Sequence, residues 1–344
     1  MKNIVVRCNT GIQTGMGHLV RCANLMSVFD EYTIHFLIKT DNKHLTTEII
    51  KRYSSNWTFD YMDSNLSNKD DLKLLIYNIK ARNAFLILDH YQVDEEYQKQ
   101  LRKEGVDWLQ FDSHAQQNLY ANIVLHSSPG ATHELYSSLI DKEKTKALLG
   151  VKYIILNEQY RKLSATAQAR TSLKSIMICF GAGNDNKLII ECLENIDKDL
   201  LSLFSWNVVI GQHTQEKEKI RNLSTTFPSI QLIENEYDLS YYQLNSDLLI
   251  TSPGTLSYEA AALGLPMLLL KTNDSQSVNL KGWQEMKVAL NIGKEHKIDK
   301  IILNQYLRKL SKEKNSLKGM SEILLNTIDN QGVFRVKKEI LSEL

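Results

Sequence analysis

The chain has 344 residues, 43% of them hydrophobic and 24% charged, with a formal net charge of +1 at pH 7. That length suits two domains of ordinary size with sizeable cores, and the balanced charge sets up no strong field toward nucleic acid or an anionic membrane. No stretch approaches the ~18 apolar residues of a membrane span, and the amino terminus lacks an apolar run of signal-peptide length. A cytoplasmic protein without membrane insertion is the expectation.

In chain order, Ile4 to Cys8 reads as a first strand, followed by the turn Gly15-Met16-Gly17-His18. Behind it Leu19, Cys22, Met26 and Phe29 recur at helical spacing. Thr33 to Ile38 reads as a second strand, Asp70 to Lys80 as a helix and Phe85 to Leu88 as a strand that leaves Asp89-His90-Tyr91 at its carboxyl end. Glu95 to Glu104 reads as a helix, Trp108 to Phe111 as a strand with Asp112 at its tip, and Ile123 to Leu125 as another strand. Short β-branched runs alternating with amphipathic stretches indicate βαβ units around a parallel sheet.

After Tyr160 the polar, weakly patterned stretch 161–170 reads as a linker. Ser175 to Phe180 restarts the alternation, followed by Gly181-Ala182-Gly183-Asn184 and a helix from Lys187 to Ile196. Further strands are expected at Trp206 to Gly211, Ile230 to Ile233, Leu248 to Thr251 and Met267 to Leu270. The division is therefore 1–162 and 172–344, with a tail helix at 333–344 that either ends the second domain or crosses back to brace the first.

Two glycine-bearing turns carry the chemistry, Gly15-Met16-Gly17-His18 and Ser252-Pro253-Gly254-Thr255-Leu256-Ser257-Tyr258-Glu259. Each opens a helix and aims unpaired N–H groups and the positive end of the helix dipole at one point. Gly15 and Gly17 let a ligand approach the backbone, because no Cβ stands in the way. The first turn falls short of a dinucleotide fingerprint: no third glycine follows and no acidic residue closes the second strand, so no nicotinamide cofactor is expected.

His18 lies in its helix's first turn, where the dipole disfavours a charged ring and a neutral imidazole can serve as general base; the blander reading is a cap or a simple hydrogen-bond donor. At the strand end, Tyr91 can position a sugar or water and Asp89 can orient a neighbour, or Asp89 can cap the helix that begins at Glu95. In the later turn Ser252, Gly254 and Thr255 can present donors to a diphosphate, and Glu259 suits a ribose diol. Gly181, Gly183 and Asn184 form a matching loop, and Ser275 and Gln276 follow the Met267 strand at another carboxyl end. Other histidines are weaker suspects: His35, His44, His114, His126 and His133 are scattered without ligand spacing, so no metal is expected. Cys8, Cys22, Cys179 and Cys192 show no CxxC spacing and read as buried free thiols.

These segments resemble a known family. Arg7 with Gly15-Met16-Gly17-His18-Leu19-Val20-Arg21-Cys22, then Leu88-Asp89-His90-Tyr91, Leu148-Leu149-Gly150-Val151-Lys152-Tyr153, Phe180-Gly181, the Ser252 to Glu259 turn with Leu263-Gly264-Leu265-Pro266, and Gln276 are similar in order and spacing to the pseudaminic acid pathway hydrolases. Those enzymes cleave UDP from UDP-2,4-diacetamido-2,4,6-trideoxy-β-L-altropyranose. The resemblance implies a GT-B architecture of two Rossmann-type domains facing each other across a cleft, shared with the transferase that adds N-acetylglucosamine to lipid I. It also implies cytoplasmic work in nonulosonic acid and cell-surface glycan biosynthesis, and metal-independent, inverting hydrolysis of a UDP-linked amino sugar. In it the histidine matching His18 activates water, the tyrosine matching Tyr91 lies in the sugar site, and Asn9, Arg21 and Ser275 fall among the substrate-binding positions. The family usually carries Asp at Asn9, Asp at Ser113, Asn at Ser128, Arg at Asn157, Asp at Asn184 and Asn at Ser275, so the resemblance does not name the sugar.

UDP is accordingly expected on the second domain, the sugar toward the first, and no cofactor. An inverting glycosyltransferase of the same fold, using an acceptor hydroxyl in place of water, stays open, as does a non-catalytic nucleotide-sugar-binding protein. A monomer is favoured.

Overall fold

The computed structural model describes residues 3–11, 15–181, 186–211, 217–236, 238–294 and 296–344. They fall into two compact units, residues 1–157 with 331–344, and residues 158–330.

The first unit contains seven strands: β1 (Asn3–Thr10), β2 (Thr33–Thr40), β3 (Thr58–Met62), β4 (Phe85–Asp89), β5 (Trp108–Phe111), β6 (Ile123–His126) and β7 (Lys146–Leu149). All pair in parallel, in the order β3-β2-β1-β4-β5-β6-β7. Strands such as Phe85–Asp89 are buried along their whole length, as a parallel sheet covered on both faces requires. Side chains alternate between two cores. Ile4, Val6 and Cys8 of β1 enter one, and Val5 enters the other.

Helices α1 (Gly17–Met26), α2 (Lys43–Tyr53), α3 (Asn68–Arg82), α4 (Glu95–Lys103) and the short α5 (His133–Tyr136) connect the strands. Local chemistry sets their starts. Asn42 accepts from Leu45 N–H, Ser67 from Asp70 N–H and Asp94 from Tyr97 N–H. The helix after β4 is thus capped by Asp94, which frees Asp89 from the capping role that the sequence also allowed.

The second unit opens with α6 (Glu158–Ser164) and repeats the plan with β8 (Ser175–Ile178), β9 (Ser205–Ile210), β10 (Ile230–Glu234), β11 (Leu248–Thr251), β12 (Met267–Leu269) and β13 (Ala289–Asn291). These are again parallel, in the order β10-β9-β8-β11-β12-β13. Between them lie α7 (Asn186–Asn195), α8 (Lys198–Leu203), α9 (Lys217–Thr226), α10 (Ser240–Leu244), α11 (Thr255–Ala262) and α12 (Ser277–Glu285). A two-stranded ribbon of β14 (Gly293–Lys294) and β15 (Lys297–Ile298) and the helices α13 (Lys300–Lys312) and α14 (Lys314–Thr327) complete it. In both sheets the order reverses beside the first strand, the topological switch point where ligands of open α/β sheets bind.

Two expectations change, and one open alternative closes. The 161–170 stretch is not an open linker: α6 covers its start, and buried Arg170 donates to the carbonyls of Gln243, Leu244 and Ser246. That fork orders a segment whose side chains show no periodicity. The second strand runs on to Thr40 and Asp41 follows directly, so an acidic residue does close it; a Cβ at Gly11 would collide with the Asp41 carboxylate. The last helix, α15 (Gly332–Leu341), packs on the first unit, where Val333, Val336 and Ile340 join the core beside α1 and Arg335 donates to Lys152 O at 2.9 Å. No helix among the described residues is long and apolar enough to cross a membrane.

Candidate active site

In the first unit the switch point lies between β1 and β4. The chain leaves β1, returns through Gly15 in the left-handed region at φ 73° with its N–H bonded to Gly11 O at 2.8 Å, and enters α1 with no side chain capping it. This places His18 and Arg21, one turn apart on α1, over the end of β4. His18 Nδ1 stands 2.6 Å from Asp89 Oδ1. Arg21 grips the same carboxylate with both prongs, Nε to Oδ2 and Nη2 to Oδ1, each at 2.5 Å, and its guanidinium lies 4.7 Å over the Phe111 ring.

Asp89 is 1% exposed. Burial alone would lift its carboxyl, but the Arg21 guanidinium and then His18 overcome it and hold the group well below the usual carboxylate range. Asp89 is therefore an anion at neutral pH, and an anion beside Nδ1 assigns the ring's proton to that nitrogen. Arg21 Nη2 also stands 3.3 Å from Nδ1; the shorter, charge-assisted contact to the carboxylate decides the tautomer. The lone pair is left on Nε2.

Tyr91 projects from the strand end, 54% exposed, with its ring 4.5 Å edge-on from His18 and 5.1 Å from His114. Behind this cluster Arg7 is fully buried, because Asp71 on α3 receives its Nε at 3.1 Å and its Nη2 at 2.5 Å. Tyr97 donates to the same carboxylate at 2.9 Å. Arg7 Nη1 also donates to Asn9 Oδ1 at 2.7 Å. Asn9 keeps the acceptor an aspartate would supply there and removes one negative charge. Ser128 is fully buried and its Oγ accepts Gly130 N–H at 3.1 Å, a turn-closing role.

In the second unit the corresponding point lies between β8 and β11. The β8 ladder ends at Ile178, after which Gly181 takes φ 91°. The turn after β11 is locked from α12: Asn279 donates to Pro253 O at 2.6 Å and Trp283 Nε1 donates to Ser257 Oγ at 3.0 Å, while that hydroxyl donates to Gly254 O at 2.6 Å. Gly254 is the N-cap of α11, and no side chain caps that helix. A Cβ at Gly254 would lie 3.9 Å from Ser252 Oγ and 4.0 Å from Gln276 Nε2, so these two side chains flank the turn. Gln276 is fixed by Thr272, whose backbone N–H donates to its Oε1 at 2.8 Å. Ser275 instead points its hydroxyl at Asn273 Oδ1.

Glu259, one turn into α11, is half-buried. Burial pushes its carboxyl up to about 8; the Tyr160 hydroxyl, donating from α6, works against this, and nearby Asp238 adds to it. Burial likewise lifts the Cys179 thiol, to about 12.

The structure thus brings His18, Arg21, Asp89 and Tyr91 together in one unit, with Asn9, Gly15 and Gly17 on the segments around them. It gathers Ser252, Gly254, Thr255, Glu259 and Gln276 in the other, with Gly181 at the end of the adjacent strand. Gly183 and Asn184 lie outside the described residues. Sequence reasoning set aside His114 and His126, which stand at the carboxyl edge of the first sheet, and it missed Asp71, Tyr97 and Tyr160. Asp112 at a strand tip was the one sequence signal toward His126.

No family model matches the chain. It is 28% identical over 286 residues to the uncharacterized protein MJ1062 of Methanocaldococcus jannaschii, across 79% of this chain and 56% of that protein, so it spans little more than half of that relative's length. It is 22% identical over 292 residues to the spore coat polysaccharide biosynthesis protein SpsG of Bacillus subtilis, across 82% of this chain and 81% of SpsG. Acinetobacter baumannii MurG superposes with a TM-score of 0.67 at 16% identity, covering 99% of this chain and 100% of that one. S. aureus MnaA with UDP superposes with the same TM-score at 12% identity, covering 99% and 96%. The chain has the GT-B fold and is similar in sequence to SpsG.

Proposed function

We propose that the protein hydrolyses a UDP-linked amino sugar at its anomeric carbon. The observation that carries this is the His18–Asp89 pair, an imidazole whose tautomer is fixed by a buried carboxylate at a sheet switch point, with Nε2 left to take a proton. UDP is assigned to the second unit: Gly254, Thr255 and the uncapped start of α11 meet the diphosphate, Glu259 the ribose diol, and Ser252, Gly181 and Gln276 border the nucleotide. The sugar is assigned to the first, among His18, Tyr91 and Asn9.

In the reaction a water attacks the anomeric carbon and gives its proton to His18 Nε2. The bond from that carbon to the diphosphate oxygen breaks, UDP leaves with the electron pair, and configuration inverts. The presence of UDP in the MnaA structure and the polysaccharide role in the name of SpsG support a UDP-sugar substrate and a place in glycan synthesis.

The test is release of UDP from a panel of UDP-amino sugars without any acceptor, with the anomeric proton followed by NMR. Turnover to the inverted sugar is expected. An intact conjugate that is consumed only when an acceptor hydroxyl is supplied would replace this reading with an inverting glycosyltransferase, which the same dyad can serve and which the fold does not separate from a hydrolase. Tight binding with no product under either condition would make the protein a binder.

Glu259 gives a second expectation. Its pKa is raised in the free protein, so the carboxyl contributes stability that is present below about 4.5 and lost as pH rises through about 8. Binding a diol selects the carboxylate, so UDP binding should release a proton below about 8 and tighten as pH rises from 6 toward 9. Calorimetry in buffers of different ionisation heat reads this directly, and Glu259→Gln should weaken UDP ~10-fold and flatten the pH profile. An unchanged affinity and profile in that variant would remove Glu259 from the nucleotide site.

A further inference from the structure

At the carboxyl edge of the first sheet a second set of buried polar groups stands beside the His18 cluster without belonging to the mechanism above. Asp112, at the tip of β5, accepts the backbone N–H groups of His114 at 3.2 Å and Ala115 at 2.9 Å. Tyr136 of α5 is fully buried and its hydroxyl donates to Asp112 Oδ2. The same phenol oxygen lies 2.6 Å from Nδ1 of His126, the last residue of β6.

A phenol has one proton, and here the carboxylate takes the hydrogen bond it makes. The contact with His126 must then be donated by Nδ1–H, which puts the neutral ring's lone pair on Nε2. The opposite tautomer would leave an unprotonated nitrogen and a carboxylate competing for one hydroxyl proton. His126 Nε2 makes no hydrogen bond to a described residue and is not sealed from solvent, unlike both ring nitrogens of His90, which follows β4 two strands away. Burial, with Arg21 and His114 close by, pushes the His126 ring down to about 4, against the pull of Asp112. The ring is neutral, buried and held by two successive hydrogen bonds, with one acceptor atom unused.

We propose that His126 is a specificity-determining residue of the sugar site, whose Nε2 accepts a hydrogen bond from a donor on the hexose, an amide N–H or a hydroxyl, with Tyr136 and Asp112 as the positioning residues that fix its tautomer. This rests on the reading of the first unit as the sugar-binding half. A site held as an acceptor cannot satisfy a second acceptor, so an acetamido group is received through its N–H rather than its carbonyl. An analogue without the donor leaves a buried lone pair unpaired.

Two measurements on the full chain test this. Long-range nitrogen–proton NMR on histidine-labelled protein between pH 6 and 8 is expected to show Nδ1 of His126 protonated and Nε2 bare, and Tyr136→Phe is expected to relax this to a tautomer mixture. A proton on Nε2 in the wild-type chain overturns the proposal. Calorimetry with UDP, UDP-N-acetylglucosamine and UDP-2,4-diacetamido-2,4,6-trideoxy-β-L-altropyranose is then run on wild type, His126→Ala and His126→Gln. His126→Ala is expected to lose at least ~10-fold in affinity for a conjugate that wild type prefers over UDP, while binding UDP itself within twofold. His126→Gln, which returns an acceptor oxygen, should recover part of the loss, and Tyr136→Phe should raise KM more than it lowers kcat. If wild type prefers a conjugate over UDP and His126→Ala prefers it equally, the proposal falls and the reading of the sugar site stands. If wild type binds no conjugate better than UDP, the sugar-site reading itself fails, and the proposal with it.

Discussion

Replacing His18 by alanine is expected to slow UDP release ~10²–10⁴-fold, the range a positioned general base contributes, while UDP binding at the second unit is retained. The expectation follows from one ring. His18 is 4% exposed and tied through Nδ1 to Asp89 at 2.6 Å, so only Nε2 is left to meet the attacking water. Its removal takes away the proton acceptor and leaves intact the groups that bind the leaving group. The loss should therefore fall on kcat, with KM little changed. Stopped assays of UDP release and calorimetry of UDP on the same variant check both halves. A variant that turns over at near wild-type rate, or that loses rate only in proportion to lost UDP affinity, would take the proton-transfer role away from this residue.

Much of the frame behind that residue can be read from the sequence, because parallel strands covered on both faces are written as unbroken apolar runs. Phe85 to Leu88 is such a run, and the rule that ligands meet open sheets at carboxyl ends places Asp89 at an edge without any coordinates. The glycine turns are legible for a similar local reason, since each stands between an apolar run and a helical stripe. What resists reading is pairing across distance. Asp89 can be suspected of orienting something, but that its partners are His18 and Arg21 depends on α1 crossing the end of β4, 71 and 68 residues away in the chain. Arg7 looks like an exposed cation in a strand until Asp71 is brought to it from 64 residues away. Tyr160 and Glu259 meet only because α6 folds onto α11.

Short or edge elements are hidden for another reason. The β3 sequence Thr58–Met62 is half polar because an edge strand faces solvent, and β7 begins with exposed Lys146. The tail helix shows its apolar stripe in Val333, Val336 and Ile340, yet a stripe does not say which core receives it. Gly332 supplies that answer only in three dimensions, where a Cβ would strike the backbone of Ile154.

The second large effect is expected from Asp89→Asn, and it separates orientation from simple presence of the base. Asparagine fills the same space but can offer Nδ1 of His18 an N–H donor, which stabilises the ring with its proton on Nε2, the wrong tautomer for taking one from water. A loss of ~10²–10⁴-fold in turnover is expected although the imidazole is still present. If the carboxylate acts only through the ring, the double variant His18→Ala with Asp89→Asn should be no slower than His18→Ala alone, so the cycle should show strong non-additivity.

The substitution should also cost stability. It strips the partner from Arg21, whose two 2.5 Å contacts end on this carboxylate, and breaking such a pair with one member fully buried is worth roughly 3–5 kcal/mol before allowance for the partial exposure of the arginine. The pH dependence has a definite sign. The carboxyl is held below its unfolded value near ~3.9, so its contribution is complete above that pH and is lost as acid protonates the folded form. Wild type and Asp89→Asn should therefore differ most in urea midpoint near neutrality, and the gap should narrow progressively as pH falls below about 3.9. Additive rate losses in the double variant, or a stability gap that persists undiminished in acid, would mean that Asp89 neither orients His18 nor neutralises Arg21.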